Sequence, residues 1–181
     1  GLLITGAMVN YADKRKQDSF GLLKKTIGRL GEPVIRKSMN YAMKIMGKQF
    51  VMGETIKAAT ERAAEKEQKG YVYSYDMLGE GARTMADADR YLKAYQDAIE
   101  TIGKVARASG KNDPRRVPGI SVKLSAIHPR YEFTHQARVM AEIVPKLKAL
   151  CLQAKSYNIG LTVDAEESER LDISLDIIEA V

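Results

Sequence analysis

The stretch GISVKLSAIHPRYE (residues 119–132) decides the fold, because it places a charged side chain within the alternation of a β-strand. Successive side chains of a strand point to opposite faces. Ile120, Val122 and Leu124 therefore share one apolar face, and Lys123 lies on the other. A buried lysine costs several kcal/mol unless an opposite charge accompanies it. Lys123 must therefore either face solvent or meet a partner.

Two further stretches, YVYSYD (residues 71–76) and IGLTVDA (residues 159–165), have the same alternation. One face of each predicted strand is apolar, and the other is small or polar and ends in a charged residue: Asp76, Lys123 or Asp164. A doubly wound sheet is apolar on both faces, because helices cover both. The one-sided pattern favours a (β/α)8 barrel, in which catalytic groups lie at the carboxyl ends of the strands. We therefore predict that these three charged residues form one functional site.

The remaining segments have the apolar periodicity of helices. Helices are predicted at residues 18–31, 33–47, 55–69, 85–107 and 136–157, and from about 168 onward. Apolar stripes expected to be buried include Ile35, Met39, Ala42 and Met46, and in the last helix Leu171, Leu175 and Ile178. Strand–helix repeats imply parallel strands joined by right-handed crossovers. We predict an α/β fold with a helical lead-in (residues 1–69), followed by the first three strand–helix units of a truncated (β/α)8 (TIM-like) barrel (residues 70–181).

Composition restricts the setting of the protein. The 181 residues carry a net charge of +6 and one cysteine, Cys151, which fits a reducing, cytosolic environment. The sequence contains no apolar run long enough to span a membrane and no signal peptide, and its first residue, glycine, suggests an excised piece. Basic groups at residues 14–16, 24–25, 36–37 and 115–116 lack an aromatic-basic motif. We interpret them as solvated surfaces and expect no nucleic acid partner.

Three kinds of chemistry fit a lysine between two carboxylates. Lys123 can bind a small anionic substrate while the aspartates hold it charged, or it can attack a carbonyl to form a Schiff base. A divalent metal site is the third alternative, with Asp164, Glu166 and His128 as ligands. The metal alternative is the weakest, because a lysine among the ligands would repel a cation. We expect no metal.

Several blocks of the sequence resemble one enzyme family. YSYDMLGEGA, GISVKLSAIHPRY and DAEESERLDISLDIIE resemble the first three strand regions of a proline dehydrogenase barrel. The upstream GEPVIRKSMNYAMKIMGKQFVMGETI resembles the helical lead-in of the bifunctional bacterial proline-utilisation flavoenzymes, in which a proline dehydrogenase is fused to an aldehyde dehydrogenase. The blocks occur in the expected order and cover almost the whole chain.

The resemblance implies that FAD oxidises L-proline to Δ1-pyrroline-5-carboxylate, the first step of proline catabolism, and that electrons pass to a membrane quinone. In the family, the residue matching Lys123 contacts the proline carboxylate. The match of Asp164 lies beside flavin and substrate, and the match of Ala165 lies next to the flavin. The match of Glu80 pairs with a substrate-binding arginine as part of an active-site gate. Asp76 matches a family aspartate that acts in the gate or in an ion pair.

A closed barrel has eight strands, and most FAD contacts in the family come from later strands than the three predicted here. We therefore expect this chain alone to be inactive and to self-associate through its open barrel edge. The parent protein is expected to be cytoplasmic, with peripheral membrane association. Two alternative functions remain: a Schiff-base lyase barrel using Lys123, and a non-enzymatic interaction module formed by the basic helical lead-in.

Overall fold

The computed structural model describes residues 17–181, with side chains from residue 31 onward. The chain divides into two compact units, residues 1–51 and 52–181. The domain boundary predicted between residues 69 and 70 stays a prediction. The basic groups at residues 14–16 and 24–25 have side chains outside the described residues.

The first unit contains one long helix, α1 (Gln17–Phe50). The prediction of two helices separated near Gly31 is wrong, because α1 continues through Gly31 and Pro33. Both residues disfavour a helix interior, but the leucine, lysine, arginine and methionine residues around them are good helix formers. The prediction that an apolar stripe of this helix is buried is also wrong. All four of its residues are exposed: Ile35, Met39, Ala42 and Met46.

The second unit alternates helices and strands. Its α-helices are α2 (Ile56–Glu67), α3 (Met85–Ala108), α4 (Leu124–Ile127), α5 (Gln136–Ser156) and α6 (Leu171–Ala180). Its strands are β1 (Ser74–Asp76), β2 (Gly119–Val122) and β3 (Leu161–Val163). Short 3-10 turns occupy Pro114–Arg116, Phe133–His135 and Ser168–Arg170. None of the described helices is long and apolar enough to cross a membrane.

The three strands form one parallel sheet in the order β1-β2-β3. Asp76 pairs with Ser121, which in turn pairs with Thr162, so the strand ends lie side by side. The α/β prediction with parallel strands is therefore confirmed. Strand β2 ends at Val122, two residues earlier than predicted, because Lys123 is already the N-cap of α4 and Leu124 is its first residue.

The two faces of the sheet differ as the alternation predicts. Tyr75, Ile120 and Val122 are buried against the helices. The core there is completed by helix residues, including Ile99, Ile102, Ile143, Leu147 and Leu150. On the opposite face Ser74, Asp76, Gly160 and Thr162 are exposed, and Ser121 is the buried exception. The open face carries the charged strand ends.

The buried side of α6 differs from the prediction. Leu171, Leu175 and Ile178 are exposed, whereas Ile173 and Ile177 are fully buried. This helix has apolar residues on several sides, so periodicity could not identify the face that packs. A capping box begins α3, in which the side chains of Thr84 and Asp87 each accept a bond from the other's backbone N–H.

Candidate active site

Three carboxylates surround the Lys123 ammonium group at the carboxyl ends of the strands. Lys123 Nζ lies 2.6 Å from Asp76 Oδ1, 2.8 Å from Asp164 Oδ2 and 3.0 Å from Glu80 Oε1. Asp76 ends β1, Asp164 directly follows β3, and Glu80 belongs to the loop after β1. The parallel register thus brings together Asp76, Lys123 and Asp164, as predicted from their positions at the strand ends.

These groups differ in exposure. The Glu80 side chain is 3% exposed and Asp164 is 25% exposed, whereas Asp76 is 41% exposed. Burial by itself lowers the pKa of Lys123, but hydrogen bonds to Asp164, Asp76 and Glu80 outweigh it and raise that pKa. Lys123 is therefore a cation, and the four-residue cluster carries an excess of negative charge when its carboxylates are ionised.

Asp164 is held by its neighbours on β2. Its backbone N–H donates to the Val122 carbonyl at 3.0 Å, and the buried Ser121 hydroxyl donates to its Oδ1. Burial raises the pKa of Asp164, but bonds from Lys123 and Ser121, together with the lysine charge, lower it overall. Asp164 thus remains an anion with a fixed orientation.

Tyr95 also belongs to this site, although its sequence position did not indicate it. Its ring is fully buried in an apolar stripe of α3 that also contains Ile99 and Ile102. The phenol oxygen accepts the Lys123 backbone N–H at 3.1 Å and lies 3.5 Å from Glu80 Oε1. A buried tyrosine hydroxyl usually needs a partner, and this was the available signal in an otherwise aliphatic stripe.

The carboxyl end of β3 carries a small residue beside a charged one. Ala165 is exposed beside Asp164, and Thr162 and Gly160 are exposed on the open face of the sheet. The small Ala165 and the charged Asp164 are therefore compatible with a flavin ring at this strand end.

The metal alternative gains no geometric support. His128 is buried, its Nδ1 accepts the Arg130 N–H, and its Nε2 lies 3.0 Å from Glu142 Oε2. Glu166 accepts bonds from the Ser125 N–H and from Arg170 Nη1, both at 3.0 Å. Within residues 31–181, where side chains are described, no group of three or more histidine, cysteine or carboxylate residues is arranged to hold a metal ion.

Comparisons with known proteins identify two matching regions. Residues 59–181 match the family model described as "Proline dehydrogenase", and residues 1–50 match "DNA-binding domain of Proline dehydrogenase". The "Bifunctional protein PutA" of Escherichia coli K12 is 50% identical over 99% of this chain, and that of Rhizobium meliloti is 48% identical over 100%. The chain spans 13–14% of the length of these relatives.

Solved structures agree with this similarity. A mutant of proline utilization A from Bradyrhizobium japonicum is 52% identical, with a TM-score of 0.64 over 86% of this chain and 16% of that chain. The predicted helical lead-in and partial barrel are therefore confirmed: three strand–helix units match part of the proline dehydrogenase barrel of such proteins.

The expectation that this region has no nucleic acid partner is wrong, because residues 1–50 match a DNA-binding domain. The expectation relied on the lack of an aromatic-basic motif, but phosphate contacts from lysine and arginine dominate affinity for DNA and need no motif. Residues 1–50 contain ten lysines and arginines and only three acidic residues. This uneven distribution of charge along the chain was the signal that could have indicated DNA binding.

Proposed function

The chain belongs to the proline dehydrogenase family, and we propose from this premise that its open sheet face forms part of an active site oxidising L-proline to Δ1-pyrroline-5-carboxylate. The observation that carries the proposal is the contact of Lys123 with three carboxylates at the strand ends. Three strands supply only part of a barrel. The proposed activity is therefore that of a whole protein containing this chain, and the chain alone is proposed to be inactive.

Lys123 is proposed to bind the carboxylate of proline. An ammonium group has three N–H donors, and Asp76, Glu80 and Asp164 occupy all three. Substrate must therefore displace one of these carboxylates. Asp76 is the most exposed of the three, so moving it into solvent costs the least. We assign Asp76 as the displaceable ion-pair partner and Glu80 as the group that retains the ammonium at the gate.

The family is flavin-dependent, and Asp164 and Ala165 are the residues of this chain proposed to lie against FAD. When bound, FAD supplies the oxidising chemistry by accepting hydride from the proline ring. Ala165 leaves space for the ring system at the end of β3. Hydrogen bonds from Ser121 and Lys123 keep Asp164 ionised and fix its orientation. These residues thus supply orientation and a fixed field around the reacting atoms.

The charge state of Lys123 argues against a Schiff-base lyase. Attack on a carbonyl requires a neutral amine, which proteins obtain by lowering the lysine pKa. Here the three carboxylates raise the pKa of Lys123 despite its partial burial. Borohydride should therefore trap no substrate adduct at Lys123.

The full-length protein containing this chain provides the test. Purified with its flavin and mixed with L-proline without oxygen, it should lose the flavin absorbance of the oxidised state. D-proline is the matched control, because it has the same groups in the mirror arrangement. It should reduce the flavin much more slowly than L-proline. A flavin-loaded protein whose absorbance does not respond to L-proline would contradict the proposed activity.

A second function, DNA binding, is proposed for residues 1–50. The family match and the excess of basic residues in this segment support it. Anisotropy of a labelled duplex should rise with the 181-residue chain, and the affinity should fall steeply with salt. Replacing Arg36 and Lys37 with glutamine should weaken binding, whereas replacing Arg115 and Arg116 should not. Equal effects of the two pairs would contradict the assignment.

A further inference from the structure

Tyr95 is the group in the Lys123 cluster for which neither the sequence pattern nor the family resemblance supplies a role. It lies in the middle of α3, 28 residues before Lys123, and its ring is fully buried. The other buried residues of α3 have no polar side-chain atoms: Ala88, Ala98, Ile99, Ile102, Gly103 and Ala106. A phenylalanine would fill the same space, so packing alone does not explain the hydroxyl group.

Hydrogen-bond chemistry defines what the hydroxyl does. The Lys123 backbone N–H is a donor, so the Tyr95 oxygen accepts this bond at 3.1 Å. The phenol proton is then available to the Glu80 carboxylate, whose Oε1 lies 3.5 Å away. Burial raises the pKa of Tyr95, so the phenol keeps its proton and remains a donor.

These contacts form a closed ring. Glu80 Oε1, which faces the Tyr95 hydroxyl, is also the atom 3.0 Å from Lys123 Nζ. The ring runs from the backbone of Lys123 through Tyr95 and Glu80 to the ammonium group of the same lysine. It therefore ties both ends of the lysine to one side chain of α3, at the point where β2 turns into α4.

We propose that Tyr95 is a positioning residue that holds Glu80 and the backbone of Lys123 in the geometry needed to receive the substrate carboxylate. The proposal rests on the proposed function for its substrate. Asp76 can leave the ammonium group while Tyr95 and Glu80 keep it in place. Tyr95 acts through Glu80 and Lys123 and does not itself contact the reacting atoms.

The test compares Y95F with Y91F in the full-length, flavin-loaded protein. Tyr91 is a matched control, because it lies on the same helix and its hydroxyl donates to the Gly79 carbonyl at 2.9 Å, one residue from Glu80. Neither Glu80 nor Lys123 loses a partner in Y91F. Proline kinetics form the first readout. The second is the rate at which an amine-reactive reagent labels Lys123, followed by mass spectrometry in protein with and without flavin.

We expect Y95F to lower kcat/KM for proline about tenfold, mainly through KM, since it removes a bond to a charged group. Lys123 should be labelled several times faster in Y95F, because a Glu80 no longer held by Tyr95 raises the pKa of Lys123 less, and more of the amine is then unprotonated and reactive. Y91F should change neither readout. In Y95F/E80Q the two losses should be less than additive, because both substitutions open the same ring.

Equal labelling of Lys123 in Y95F and Y91F would overturn the proposal. Faster labelling of Lys123 in Y95F, combined with a wild-type protein that does not oxidise proline, would support the ring and refute the proposed function. Should Y95F fail to fold, hydrogen exchange in the wild type decides the question. A protected Lys123 amide supports the bond to Tyr95, and rapid exchange of that amide overturns it.

Discussion

Removing the Lys123 ammonium group should destabilise the second unit mainly through Glu80. In K123M, three carboxylates lose their shared cation, but they lose it in different environments. Asp76 is 41% exposed and can turn to water, whereas Glu80 is 3% exposed and cannot. Leaving a buried charge unpaired costs about 3 kcal/mol, while an exposed pair contributes at most about 1 kcal/mol. We therefore expect K123M to lose about 3 kcal/mol of unfolding free energy.

A pair of double-mutant cycles separates these contributions. K123M/E80Q should recover about 2 kcal/mol relative to K123M, because the buried charge is removed together with its partner. K123M/D76N should recover less than about 1 kcal/mol. The assay is urea unfolding of the 181-residue chain, followed by near-ultraviolet circular dichroism of the buried tyrosines. Equal recovery in the two double variants would refute the argument that burial of Glu80 dominates the cluster.

Two further predictions concern Asp164 and the packing of α3. Because its partners lower the pKa of Asp164, the ionised carboxylate stabilises the fold when the pH is above its ordinary pKa of about 4. This contribution is lost as the pH falls through the lowered pKa. Urea unfolding should show the wild-type advantage over D164N shrinking below about pH 4. In the S121A background the advantage over S121A/D164N should be smaller, and its loss should be complete at a higher pH. G103A should cost about 1–3 kcal/mol in urea unfolding despite the better helix propensity of alanine, because its Cβ would lie 2.2 Å from the Tyr157 ring. G81A, where the added Cβ meets nothing within 4 Å, is the control, and equal stability of the two variants would contradict this packing argument.

The part of the site that lies on strands could be predicted from the sequence. Alternation alone separates the apolar Ile120 and Val122 from Lys123, and parallel strands necessarily bring their carboxyl ends together. Asp76 and Asp164 follow from the same rule. Strand geometry thus allowed these positions to be predicted without knowledge of any loop.

The contacts from outside the strands could not be predicted in this way. Glu80 reaches Lys123 from a loop, whose course depends on tertiary contacts that no local pattern encodes. Tyr95 lies on a helix, and its hydroxyl finds its partners only once α3 packs on the sheet. In α6, apolar residues on several sides leave the packed face to be chosen by α5, so the burial of Ile173 and Ile177 became clear only in the structure.

Flavin reduction by L-proline in K123M and wild-type forms of the full-length protein tests the central claim most directly. Both proteins should bind flavin, because Lys123 is assigned to the substrate and not to the cofactor. The wild type should be bleached by L-proline, and K123M should require a much higher concentration, with kcat/KM reduced at least about tenfold. Bleaching of K123M at the wild-type rate and concentration would contradict the assignment of Lys123 as the group that receives the proline carboxylate.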